Sequence, residues 1–596
     1  MKTILLSFLL VLISLQEINA NGHCTPKGIP LSDEAWGNWF TTDENNEWFL
    51  GLYDSVAIVN NTIYTYEQIS KQDTHFLFVL TDNKGNRQEW RLTPQAKNEC
   101  FVQQTGSKQQ WRLTRKQRAF RMKKEASVQT LFLRRDTAFI QGYIDGYDTA
   151  SGARTGLINL SNSFTDEAYP TVIQIHPNGC FEGKFLLNHP TENYLTLGYN
   201  RVPFYIEPGQ TLTLYVTIPE GLPGSHRAWT LALPTDGVHY MGPSASLCEV
   251  SYRNRQRFDY GYGELMKDRE TYLPEQLKEK LQPMFRQWSQ CADSIITADQ
   301  YTDKAARFLR NKIKLNRSNA LLNFIVIGKQ QTLKDTANSI LQASESDDYY
   351  SFLRELPLHD ETLLVNNEFS TFINRFEYLL PTGQKRTERL FQTQQTAIVP
   401  IVRQIVTTRS LCRALQAEND RETALALFQN KMKSINHPFL QAEGKRVFEN
   451  THPAENVSSY ELPAGKATDI FRSIIQPYQG KLLLVSFWST TCGPCRKGIE
   501  ATAALRKQYK NHPECQFVYI TSGRESSSTG YKNYVEKHLK GEASYRVSES
   551  EFNYLRELFR FNAVPHYRII NKDGRVINHP IDSRQFAGYL SKYFSK

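Results

Sequence analysis

From Ala35 to about Arg115 the chain alternates apolar and polar residues in short runs, among them Ser55 to Tyr66, Thr74 to Leu80 and Glu89 to Leu92. Period-two alternation sends every second side chain to one face, the pattern of half-buried strands. Asn60-Asn61 and Asp82-Asn83-Lys84-Gly85 interrupt it with residues suited to hairpin turns. A small antiparallel β module is predicted over 21–115. From about Val128 to Pro219 the alternation resumes in Ala138 to Ile144, Thr171 to Ile175, Gly183 to Leu187, Leu195 to Tyr199 and Thr211 to Val216. Turns at Asp145-Gly146, Pro177-Asn178-Gly179 and Glu207-Pro208-Gly209 separate these runs, which predicts a β-sandwich-like domain over 125–255.

Beyond Gly261 the period lengthens. Leu273, Leu277, Leu281, Phe285 and Trp288 recur at spacings of four and three, one face of a helix, and similar stripes continue to Ile435. A helical region is predicted over 261–448, with Met284 and Trp288 as core residues. The polar stretch 449–460, containing Pro453, reads as a linker. Residues 461–596 then mix the two periods. Leu482 to Trp488 is apolar except for Ser486, Gln516 to Thr521 reads as a second strand, and Tyr531 to Leu539 and Ser550 to Phe559 as helices. Val564 to Ile577 reads as a strand, an Asp573-Gly574 turn and another strand. The fold class is multidomain: N-terminal antiparallel β modules, a central α-helical region and a C-terminal α/β unit.

With 40% hydrophobic and 22% charged residues over 596 positions, the chain is neither disordered, collagen-like nor coiled-coil. A net charge of +10 is too small for its length to argue for nucleic acid. The charge is local: eight of the seventeen residues from Lys108 to Lys124 are basic and none is acidic. This run fits a solvated linker or sheet edge, with contact to an anionic lipid or polymer as the alternative. Lys2, the apolar run Ile4 to Leu15 and the polar approach to Ala20 predict a secretory signal peptide over 1–20, hence export. No later run is long enough to span a bilayer as a helix.

The chemistry concentrates at Cys492-Gly493-Pro494-Cys495-Arg496, directly after the apolar strand and a short loop. A thiolate at a helix N-terminus meets unpaired backbone N–H groups and the positive end of the helix dipole, which lowers its pKa. Cys492 is therefore the expected nucleophile and Cys495 the resolving thiol, together a redox-active disulfide. Half a zinc site would need two further ligands, but Cys515 stands alone; haem attachment would need His where Arg496 stands. No metal or cofactor is expected. Six other cysteines, Cys24, Cys100, Cys180, Cys248, Cys291 and Cys412, allow 15 pairings. Chain proximity favours Cys24 with Cys100, Cys180 with Cys248 and Cys291 with Cys412, and free buried thiols are an equal alternative.

Phe487-Trp488, the Cys492-Gly493-Pro494-Cys495-Arg496 motif and Val564-Pro565 about seventy residues later resemble the exported TlpA/ResA-like thiol–disulfide oxidoreductases with a thioredoxin fold. Phe181-Glu182-Gly183-Lys184-Phe185 and Phe204-Tyr205-Ile206-Glu207-Pro208-Gly209 resemble the long N-terminal extension of such proteins in Bacteroidetes. The resemblance implies a cis bond at Val564-Pro565 facing the disulfide and a substrate backbone contact at Val564. It also implies supporting roles for Trp488, Gly493, Pro494 and Pro565, and an acid–base role for Glu525, whose alternative is a solvated loop carboxylate. Ser486 stands where thioredoxin has a buried Asp. The expected function is reduction of disulfides in envelope proteins, in the periplasm of a Gram-negative bacterium, with electrons from a membrane thiol-relay donor. An oxidase or isomerase, or an envelope ligand-binding protein with an auxiliary redox domain, are the alternatives.

Overall fold

In the computed structural model, the described residues are 34–596 apart from 97, 119, 123–130, 152, 199, 218–236, 333–339, 341–342, 380–399, 419, 454–458, 579–580 and 596. The predicted signal peptide, Cys24 and the basic residues Lys123 and Lys124 lie outside them.

Eight strands, β1 (Gly37–Thr41), β2 (Trp48–Leu52), β3 (Val56–Val59), β4 (Thr62–Gln72), β5 (His75–Asp82), β6 (Arg87–Ala96), β7 (Glu99–Gln104) and β8 (Gln110–Thr114), pair antiparallel in chain order. β1 also pairs with β8 through Phe40–Thr114 and Thr41–Leu113, so the module is a closed barrel. Closure removes free strand edges. Asn60 and Asn61 both adopt positive φ, 48° and 61°, which lets a two-residue turn match the twist of β3 and β4. The interior is aromatic, with Trp39, Phe76, Phe78 and Trp90 buried together.

The next eight strands are β9 (Asp136–Asp145), β10 (Thr155–Ser161), β11 (Ala168–Ile175), β12 (Cys180–Leu187), β13 (Thr191–Leu197), β14 (Asn200–Ile206), β15 (Thr211–Thr217) and β16 (Val238–Met241). They hydrogen-bond in the order β14-β13-β10-β11-β12-β9-β15-β16. The strand spacing predicts a β-sandwich-like domain, and these strands form one continuous ladder. It is nearly cut in the middle, because β11 and β12 pair only at Gln174–Glu182 and Ile175–Phe181. Residues on both sides of that cut, such as Ile158, Leu195, Ile140 and Leu214, share one core. One pairing, β9 with β15, is parallel.

Helix begins earlier than the period change at Gly261 predicts. α1 (Ala245–Arg253) buries Leu247, Val250 and Tyr252 against the second sheet, inside the stretch assigned to the β domain. Five apolar residues within a nine-residue helix give too short a stripe to stand out in the sequence. The central region continues through α2 (Tyr262–Arg269), α3 (Pro274–Ala298), α4 (Asp303–Thr332), α5 (Glu368–Leu379), α6 (Ile401–Ala417), α7 (Arg421–Met432) and α8 (Pro438–Thr451). Leu277, Leu281, Phe285 and Trp288 of α3 are buried in its core. The predicted linker 449–460 is shorter than expected: α8 occupies its start, and β17 (Ser459–Tyr460) its end.

Buried ions tie the helices to the second sheet. Lys312 of α4 contacts Glu192 of β13 at 3.0 Å and Glu368 of α5 at 2.7 Å, with Lys312 3% and Glu192 0% exposed. Two buried histidines of this region, His189 and His239, are pushed down to about 4 by burial. Each is neutral when folded, so the unfolded chain binds more protons between pH 6.5 and 4 and stability falls as the pH drops through that window. The expected result is a lower thermal midpoint at pH 5 than at pH 7, with a smaller pH difference in His239→Phe. An unchanged slope in that variant would contradict the assignment.

The C-terminal sheet has the order β17-β22-β21-β18-β19-β20, with β18 (Leu482–Phe487), β19 (Cys515–Ser522), β20 (Ala543–Val547), β21 (His566–Ile570) and β22 (Val576–Ile577). β18, β19 and β20 are parallel and β21 joins β18 antiparallel. β18 is buried along its whole length, which explains why it is nearly all apolar. α9 (Lys466–Ile475), α10 (Gly493–Ala501), α11 (Ala503–Tyr509), α12 (Ser528–His538), α13 (Glu549–Phe559) and α14 (Phe586–Phe594) complete the unit.

This unit docks on the second sheet through α13. Val172 N–H of β11 donates to Glu557 at 2.9 Å, Asn553 donates to Thr155 at 3.1 Å, and Arg154 N–H donates to Ser550 at 3.2 Å. The outward edge of β11, freed where β12 leaves it, is thereby covered.

Candidate active site

Cys492 is the N-cap of α10, and its Sγ accepts from the Cys495 N–H at 3.1 Å. Gly493 and Pro494 form the first turn, where proline lacks no needed donor. The two cysteines are joined as a disulfide with Cα atoms 5.3 Å apart. Cys495 is buried at 1% exposure, whereas Cys492 is only half-buried. A nucleophile that solvent can reach and a resolving sulfur that it cannot is the arrangement that exchange through a mixed disulfide requires.

The Val564-Pro565 bond is cis, and the Val564 carbonyl oxygen lies 3.6 Å from Cys492 Sγ. Trp488, directly after β18, is 1% exposed and packs against Tyr534 at 5.1 Å and Tyr531 at 6.3 Å. The fold therefore gathers Trp488, Gly493, Pro494, Val564 and Pro565 around the disulfide.

Glu525 is placed differently from the role that the resemblance implies. Its carboxylate pairs with the Arg556 guanidinium, and no hydrogen bond joins it to either cysteine among the described residues. Its backbone oxygen accepts from Ser489, whose hydroxyl also lies 2.9 Å from that of Thr491. Thr490 N–H donates to Ser526 at 3.0 Å. The Glu525 loop thus braces the loop that leads into Cys492.

Sequence reasoning missed this brace and its far end. Arg556 also donates to the Asn562 carbonyl at 2.8 Å, connecting both active-site loops. Ser489-Thr490-Thr491, three hydroxyls directly before the motif, was the one available signal. His566, next to Pro565, was missed as well: burial first, then the Arg568 charge, hold its pKa well below the usual histidine value. It stacks on Phe561 at 4.5 Å as a neutral ring.

The remaining thiols provide internal controls. Burial pushes Cys100, Cys180, Cys412 and Cys515 up to about 12, and none of the described pairs outside the active site forms a disulfide. In the reduced protein near neutral pH, limiting iodoacetamide is expected to label Cys492 first, with half-exposed Cys291 next. Earlier labelling of Cys495 would reverse the assignment of roles.

Residues 480–576 match the family described as thioredoxin-like. The thiol-disulfide oxidoreductase ResA of Bacillus cereus is 26% identical over 137 residues, 22% of this chain and 76% of the relative. The thioredoxin-like protein YneN of Bacillus subtilis is 36% identical over 55 residues, 9% of this chain and 32% of the relative. Among solved structures, a thiol:disulfide interchange protein from Chlorobium tepidum TLS is 20% identical with a TM-score of 0.18, covering 20% of this chain and 83% of its own. The thioredoxin domain of a thiol-disulfide oxidoreductase from Bacteroides vulgatus is 16% identical with a TM-score of 0.19, covering 20% and 83%. The family match lies within the C-terminal unit. With the CxxC disulfide at a helix N-terminus, residues 480–576 form a thioredoxin-like domain of the thiol–disulfide oxidoreductase class.

Proposed function

We propose that the protein is an exported reductase of disulfides in cell-envelope proteins. The observation that carries this reading is the half-buried Cys492 at the start of α10, disulfide-linked to the buried Cys495 and flanked by the Val564 carbonyl. In the reduced form, the Cys492 thiolate attacks one sulfur of a substrate disulfide. An S–S bond forms to Cys492, the substrate S–S bond breaks, and the departing thiolate takes a proton. The Cys495 thiolate then attacks Cys492 Sγ, releasing the second substrate thiol and leaving the protein disulfide, two electrons having passed to the substrate. Trp488, Gly493, Pro494 and Pro565 shape the site, and the backbone of Val564 pairs with the substrate chain. A membrane thiol-relay donor, itself oxidised, restores the dithiol.

Gly-Pro between the cysteines favours the reducing direction, near ~−270 mV as in thioredoxin rather than ~−120 mV as in DsbA. Equilibration of the full chain with glutathione tests this. A potential above about −180 mV would favour the oxidase or isomerase reading.

A second reading, an envelope ligand-binding protein with an auxiliary redox unit, is favoured by a cavity of about 1110 Å³ between barrel, second sheet and helices. Phe40, Trp48, Tyr205 and His239 line it together with Arg121 and Arg307. Identical redox behaviour with and without a ligand bound there would favour it.

A further inference from the structure

The second β domain reaches the redox loops as well as α13. Asn562 donates from one amide nitrogen to the Leu160 carbonyl at 2.7 Å and to the Ser161 hydroxyl at 2.9 Å. Leu160 and Ser161 end β10 and line a second cavity of about 390 Å³, within the size range of ligand sites. On the redox unit, Glu557 and Arg560 also line it. Asn562 is two residues before Val564, a span of at most about 7 Å of extended chain. The cavity therefore begins within a short peptide's reach of the carbonyl that faces Cys492.

Its walls are suited to an extended polypeptide. Beyond Glu182, strand β12 loses its pairing with β11, so Gly183–Leu187 has no ladder partner on that side among the described residues. Lys184 to Leu187 line the cavity, and an unpaired strand edge is a template for an added strand. The corresponding edge of β11 is taken by Glu557 at Val172 and interrupted by Pro170, so the free template is β12 alone. Lys184 and Arg560 are exposed and have no carboxylate partner among the described residues; Arg560 lies over the Tyr169 ring at 5.7 Å. The loop between β10 and β11 is rigidly held, with Arg409 bonded to Asp166 at 2.8 Å and Arg446 paired with Glu167 and Glu443. The wall is thus fixed before any substrate arrives.

We propose that this cavity is a substrate subsite. The extended segment flanking a target disulfide runs from Val564 past Asn562 to the open edge of β12, where an acidic side chain meets Lys184 and Arg560. This rests on the oxidoreductase reading and adds a substrate class to it: disulfides followed or preceded by an acidic extended stretch. It also gives the N-terminal region a part in substrate selection by direct contact.

The test mixes the pre-reduced full chain with synthetic peptides whose single cysteine carries a thionitrobenzoate mixed disulfide, so that each dithiol, oxidised once to the disulfide, releases one coloured thiol in a single turnover. Three-residue peptides are compared with nine-residue peptides extended on either side by acidic or basic residues. The expected result is at least tenfold faster single-turnover reduction of one acidic nine-residue peptide than of the three-residue peptide at low peptide concentration, with half-saturation at a correspondingly lower concentration. The double variant Lys184→Glu with Arg560→Glu is expected to lose that gain and to prefer the basic peptide, with its unfolding midpoint and its three-residue rate unchanged. Lys572→Glu, at the other end of β21, serves as the control for general charge effects. Equal rates for short and long peptides in the native chain, or an equal effect of Lys572→Glu, would overturn the subsite. Reduction of every peptide by Cys492→Ser would instead overturn the oxidoreductase reading.

Discussion

The Cys492→Ser variant of the full chain is expected to reduce protein disulfides slower by on the order of 10³-fold or more, because it removes the atom that forms the mixed disulfide. Cys495→Ser is expected to lose turnover equally and yet to behave differently. Its nucleophile is intact and still receives the N-terminal N–H groups of α10, so the first step proceeds and the second has no attacking sulfur. The variant should accumulate as a mixed disulfide with its substrate, released by dithiothreitol. The measurement is insulin reduction for both variants, with non-reducing electrophoresis of the Cys495→Ser protein. Retained turnover in Cys492→Ser, or trapping by Cys492→Ser rather than Cys495→Ser, would exchange or abolish the roles. The asymmetry follows from exposure: a partner protein can reach the half-buried sulfur, and the other sulfur is enclosed by Trp488 and Ile499.

The largest stability effect is expected far from the redox centre, at Lys312. Burial disfavours its ammonium, but Glu192 and Glu368 outweigh that and hold its pKa well above the usual lysine value. Lys312→Met leaves two adjacent carboxylates without a counter-charge, in a site where Glu192 also accepts from Ser251 and from the Asn367 N–H. Breaking a buried pair from one side costs about 3–5 kcal/mol. Glu368 already has a raised pKa, through burial and the Glu192 charge, so the variant should take up a proton on folding. Its deficit is therefore expected to shrink as the pH falls from 7 toward 5, where the protonated carboxyl is tolerated. In the native chain the lysine contribution is lost only when the pH rises beyond the ordinary lysine range. Urea unfolding at the two pH values checks both statements. The triple variant Lys312→Met, Glu192→Gln, Glu368→Gln should recover most of the loss, since an uncharged site has no orphaned ion. A loss below about 1 kcal/mol in Lys312→Met would mean that water reaches the site.

Both effects depend on groups whose legibility in the sequence differs sharply. The cysteine motif could be read directly, because its chemistry is local: strand, loop and helix N-terminus lie within fifteen residues and carry their own signals. The buried triad could not. Glu192, Lys312 and Glu368 are ordinary charged residues in their own segments, separated by 120 and 56 positions, and only packing makes them partners. Asn562 is similar, since its partners Leu160 and Ser161 are about four hundred residues away. Glu525 shows the reverse case. A resemblance implied a catalytic task, and the fold gave its carboxylate to Arg556 because α13 brings that guanidinium under the loop.

What the sequence determined by itself was the set of local conformations. Period-two and period-3.6 patterns specify which face each element must bury, and Asn60-Asn61, Asp573-Gly574 and the CxxC helix start specify where the chain turns or nucleates. Those choices cost or gain energy within a few residues, so they are legible there. The tertiary structure alone decided how the elements close. Barrel closure through Phe40–Thr114, the parting of β11 from β12, the burial of Lys312 and the docking of α13 on the freed edge all join residues tens to hundreds of positions apart. A strand with one buried face can meet several neighbours equally well; which one it meets, and which edge is left open, is settled by the packing of the whole domain.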